Sequence, residues 1–122
     1  MNDNDKKLKE IAAKLVKEDK RIDILINESI MLELEEANGK FGELFNSEHE
    51  SYAVLIEELD ELFFEINKIS ELRMIIWENV KSNKDNKLML IEAQRFSLNI
   101  IKESIQVAAM IKKYRNTLDS KK

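Results

Sequence analysis

Cysteine and proline are both missing from this 122-residue sequence, and glycine occurs only at Gly39 and Gly42. Without cysteine there can be no disulfide, no thiolate nucleophile and no zinc site built on thiolates. A β-rich domain of this length needs more turn formers, so the scarcity of glycine and proline points to helices joined by few loops. Histidine occurs once, as His49, and a lone histidine does not build a typical zinc site. No run of about 18 apolar residues is present, so no predicted helix spans a membrane. Met1–Lys20 is polar and charged and holds no apolar segment with a cleavage site. There is no Gly-x-x-x-x-Gly-Lys phosphate loop and no serine nucleophile motif. These absences predict a soluble, cytoplasmic, all-α protein, an antiparallel bundle of long helices.

Hydrophobic residues make up 43% of the chain, enough for the core of one domain over residues 1–122. A bundle this small keeps a high surface-to-volume ratio, so completion by oligomerisation is expected. The net charge of −4 hides an asymmetry: twelve Asp and Glu against the single Lys40 lie between Glu28 and Glu65. The other nineteen Lys and Arg share the remaining sequence with twelve acids. An acidic middle argues against a nucleic-acid groove there and suits bound cations. Such a run is also the ordinary composition of a solvated helix face.

Three helical regions follow from the periodicity, at about 5–37, 47–81 and 87–115. In the first, Leu8, Ile11, Ala12, Leu15 and Val16 form a stripe that Ile22, Leu25 and Ile26 resume after the charged stretch Lys17–Arg21. It is one long helix or two with a kink near Asp19–Arg21, capped by Asn4 or Asp5 and stopped at Asn38-Gly39. Ser47 and Glu50 have capping-box spacing for the second helix. Its stripe runs from Tyr52 to Ile69, and Met74-Ile75-Ile76-Trp77 is apolar on all sides, which predicts burial beyond one face. Residues 82–86 form a polar turn. The third helix offers Ile91, Leu98, Ile101, Ile105, Ala108, Ala109 and Ile111 to the core, with fraying expected after Thr117. Sustained heptads with an a/d seam are missing, which argues against a long two-stranded coiled coil.

Glu57, Glu58, Asp60, Glu61 and Glu65 fall within nine residues of the second helix. Positions three and four apart share a face, with Cβ atoms about 5–6 Å apart, so Glu58 and Glu61 project together. Stacked like charges repel in water, and a hard cation such as Mg²⁺ reverses the sign. The run Phe45-Asn46-Ser47-Glu48-His49-Glu50, leading into Glu57-Glu58-Leu59-Asp60-Glu61, resembles the corresponding segment of phage-type MazG-like nucleoside triphosphate pyrophosphohydrolases. Lys102-Glu103-Ser104-Ile105-Gln106 resembles the second helical motif of the same branch. The resemblance implies an all-α, usually oligomeric enzyme, a dimer or tetramer. Such an enzyme uses Mg²⁺, or Mn²⁺ in its place, to cleave a nucleoside triphosphate to the monophosphate and pyrophosphate. It also implies Glu58, Glu61, Glu103 and Gln106 as metal ligands, with Glu57 orienting or deprotonating the attacking water.

Gln106 stands where this family's second motif carries aspartate, and 41 residues separate Glu61 from Glu103, more than is usual for the family. The alternative function is therefore a catalytically inactive relative, a helical nucleotide-binding or protein-interaction module. Asn99, Lys102 and Lys113 are further candidates for substrate contact. Lys112, Lys113 and Arg115 also have the simpler role of complementing a helix C-terminus. Phe63, Phe64 and Trp77 fit a core or subunit interface better than a base-stacking site, and His49 fits a surface role.

Overall fold

The computed structural model describes residues 2–121, and all of its regular structure is helical. The three helices are α1 (Asp3–Phe41), α2 (Glu48–Lys81) and α3 (Lys87–Asp119). Helix α1 starts earlier than Asn4 or Asp5 would have it, because the Asn2 side chain is the cap and accepts from the Asp5 amide at 2.8 Å. It is continuous through Lys17–Arg21 and passes Asn38-Gly39 without stopping. The stop comes three residues later. Gly42 adopts φ 89°, ψ 164°, a conformation cheap only for glycine, and its N–H donates to the Asn38 carbonyl at 2.8 Å. Of two closely spaced glycines, the second makes the turn.

At the start of α2, Ser47 Oγ accepts from the Glu50 amide at 3.1 Å. The Glu50 carboxylate does not complete the reciprocal box; it accepts from Asn46 Nδ2 at 3.1 Å. Helices α2 and α3 form an antiparallel hairpin whose two ends are visibly tied. Tyr114 Oη donates to Glu48 at 2.8 Å at one end. At the other, Asn86 accepts from Asn79 Nδ2 at 2.9 Å and donates to the Ile76 carbonyl at 3.2 Å. Helix α3 continues beyond Arg115 and Thr117 to Asp119.

The core is short. Leu34 of α1, Phe45 of the connector, and Ala109 and Met110 of α3 pack together, with Ile30, Ala37, Val54 and Tyr114 against them. Phe45 is anchored twice: its ring is buried, and its N–H donates to Thr117 Oγ1 at 3.0 Å. Thr117 in turn donates to the Lys113 carbonyl at 2.9 Å.

Much of the expected core lies outside it. Leu8, Ile11, Leu15 and Val16 are exposed, as are Ile91, Leu98, Ile101 and Ile111. Ile105 and Ala108 are half-buried. Met74 and Trp77, expected to be buried on all sides, are 67% and 58% exposed, and only Ile76 of that run is half-buried. A periodic stripe marks a face able to bury itself; burial requires a facing element, and here α1 covers only one end of the hairpin.

Candidate metal centre

The antiparallel pairing of α2 and α3 brings two distant parts of the sequence to one level. Glu58 and Glu61 share a face of α2 through their i, i+3 spacing, and Glu103 of α3 faces them. Ligand oxygens from these three side chains all lie within 4.8 Å of one another. An octahedral Mg²⁺ shell, with bonds of about 2.1 Å, sets cis oxygens about 3 Å apart and trans oxygens about 4.2 Å apart. The 4.8 Å limit on these oxygens is close to the trans spacing, and an all-oxygen donor set is the kind a hard cation takes. The residues present therefore fit such an ion.

The electrostatics agree with a site short of positive charge. Burial, then the negative charges of Glu61, Glu103, Glu57 and Glu33, push the Glu58 carboxyl up to about 7. Burial also raises Glu103, followed by the Glu61 charge, a hydrogen bond with Glu61, and the charges of Glu65 and Glu33. Helix α1 thus contributes a carboxylate, Glu33, to the field of both. Asn99 lies one turn along α3, its Nδ2 donating to Glu65 at 3.4 Å, so it steadies a neighbouring carboxylate of α2.

Gln106 is placed among these acids as a donor. With its amide nitrogen towards them it lies 3.0 Å from Glu58 Oε2 and 3.1 Å from Glu103 Oε2. That orientation is the one that satisfies both neighbours, since a carboxylate only accepts and an amide oxygen facing it would be repelled. Gln106 therefore bridges two of the clustered carboxylates across the helix pair. To coordinate an ion through its own oxygen it would have to turn over.

Beside Glu58 a cavity of about 420 Å³ opens between α1, the connector and the hairpin. Glu33, Glu57, Glu58 and Gln106 line its acidic side, and Phe41, Phe45, Val54 and Met110 its apolar side. Lys113 also lines it and is only 2% exposed. Its ammonium lies 4.7 Å from the centre of the Phe45 ring, a cation–π arrangement, and it joins none of the ion pairs among the described residues. This corrects the simpler role for Lys113, because α3 ends at Asp119 with no basic residue in its last turn. Lys112 and Arg115 likewise stand clear of that turn, and Lys112 Nζ contacts Met31 Sδ at 3.1 Å.

Lys102 does not line this cavity; with Ser29 it borders an adjoining groove that shares Glu33, Glu36 and Gln106 with the cavity. His49 is exposed in the first turn of α2. Phe63, Phe64 and Trp77 are exposed and stand away from the cavity. Sequence reasoning missed Glu33, Phe41 and Phe45 as part of this region. Glu33 belongs to the acidic stretch that begins at Glu28, but periodicity within α1 does not say which of its acids meets another helix.

No family model, curated protein or solved structure matches this chain.

Proposed function

We propose that this protein is a MazG-like, Mg²⁺-dependent nucleoside triphosphate pyrophosphohydrolase, cleaving an NTP or dNTP to the monophosphate and pyrophosphate. One observation carries the reading: Glu58, Glu61 and Glu103 converge from two helices to within 4.8 Å, and they belong to the two separated motifs on which the resemblance rests. Mg²⁺ held by these carboxylates and retained waters, or Mn²⁺ in its place, would offset triphosphate charge and activate a water for attack. Glu57, exposed on the cavity wall, would take the proton from that water. The Lys113 ammonium on the same cavity offers a positive charge to the substrate. The functional unit is a homo-oligomer, a dimer or tetramer.

The test is pyrophosphate release from a broad panel of NTPs and dNTPs with Mg²⁺ or Mn²⁺. Release from at least one nucleotide is expected, abolished in Glu58→Ala and in Glu61→Ala. A panel with no release from any nucleotide would sink the enzymatic reading. The hydrogen-bonded placement of Gln106 between two ligands favours a second reading, a nucleotide-binding or protein-interaction module without turnover. Calorimetric binding of Mg²⁺ and nucleotide by a protein that releases no pyrophosphate would identify it.

A further inference from the structure

Two long apolar surfaces have no partner within the described residues. The first is α1 from Asp3 to Glu28, where every residue is exposed and Leu8, Leu15 and Ile22 repeat at seven-residue spacing. The second is the part of the α2–α3 hairpin beyond the acidic cluster, where Phe63, Trp77, Leu88, Ile91 and Leu98 are exposed. Their combined size is visible in the total. The chain exposes 9667 Å², whereas a compact monomer of its mass, 14.3 kDa, exposes roughly 6,800 Å². The excess of about 2,900 Å² matches the upper end of what one protomer hides in an obligate homodimer.

We infer that these two surfaces cover each other between two copies of this chain. The Asp3–Glu28 part of α1 of one protomer lies along the exposed hairpin of its partner, and the reverse contact completes a twofold, isologous interface. Three observations favour this occupant. The row Ile91, Leu98 and Ile105 on α3, seven residues apart, extends directly from the seat that α1 already occupies around Ile105 and Ala109, so the hairpin presents a continuation of an existing helix-binding face. The lengths correspond: the free part of α1 spans about 39 Å, and α2 from Leu62 to Lys81 about 30 Å. Pairing of two α1 segments with each other is the weaker solution. Glu18 and Asp19 interrupt the seam between Leu15 and Ile22, and that pairing leaves Phe63 and Trp77 in water. The resemblance to an oligomeric family implies association but not these faces, and the inference holds whether or not the protein is an enzyme.

The full chain is expected to sediment as a dimer, or a multiple of dimers, at micromolar concentration. Leu15→Asp with Ile22→Asp, and separately Ile91→Asp with Leu98→Asp, should each weaken association roughly 100-fold or more, with helicity checked by circular dichroism. Because the chain has no cysteine, Ile22→Cys and Ile91→Cys provide unique labels that do not depend on a folded double variant. After the two variants are mixed and allowed to exchange subunits, a short bismaleimide should join them to one another, position 22 to position 91. A monomer at these concentrations, cross-linking only between two copies of position 22, or a dimer indifferent to both aspartate pairs overturns the proposal.

Discussion

Gln106 of α3 bridges to Glu58 of α2 at 3.0 Å, while a second bond, at 3.1 Å, holds Glu103 on its own helix. The amide thereby donates to both carboxylates, and it eases the crowding of negative charge between the helices. An aspartate at 106 would remove both donations and add a fourth carboxylate. Gln106→Asp is therefore expected to cost the metal-free protein about 1–3 kcal/mol, measured by denaturant unfolding in the presence of a chelator. The same change should strengthen Mg²⁺ binding, on the order of tenfold, read by calorimetric titration. Unchanged Mg²⁺ affinity would place position 106 outside the ion's reach.

The raised carboxyl of Glu58 fixes the sign of a pH dependence. Its ordinary value is 4.5 and its folded value about 7, so between these the folded chain keeps a proton that the unfolded chain has released. The associated stability is complete below about 4.5 and disappears as pH climbs through about 7. Glu103 is shifted in the same direction. Metal-free protein should thus become easier to unfold across that interval, and Glu58→Gln should flatten the slope. If the proposed site holds Mg²⁺, the ion would compete with the proton, so its binding should tighten over the same range and release protons into a weakly buffered solution. A metal-free stability that rises steadily towards neutral pH would contradict this account.

The two glycines should respond oppositely to alanine. Gly39 is inside α1, with open space where a Cβ would go, so Gly39→Ala should stabilise by up to about 1 kcal/mol. Gly42 also has room for a Cβ, but its φ of 89° does not suit one. Gly42→Ala should cost about 1–3 kcal/mol. Thermal unfolding of the two variants against the parent protein separates backbone strain from space.

What could be read from the sequence was what local chemistry decides. Ser47 caps α2 because a serine side chain can accept from the amide three residues on, and Glu58 and Glu61 share a face because the helical repeat requires it. The level of Glu103 depended on the pairing of two antiparallel helices, which the sequence suggested only through its resemblance to another family. Glu33 and Phe45 reach the site through tertiary contacts that no period reports. The stripes on α1 and on the hairpin were recognisable as apolar faces, yet their faces remain open because nothing in a periodic pattern states which element will lie opposite.

Helix α1 is held by two different means along its length. From about Ile30 onward it is fixed by side chains seated on α3, but Asp3–Glu28 is solvated on every side and depends on intrinsic propensity alone, which leaves an isolated helix marginal in water. In dilute solution the amides of that segment should exchange with deuterium far faster than those near Leu34. Protection that grows with protein concentration would show the segment gaining order only when another molecule lies against it.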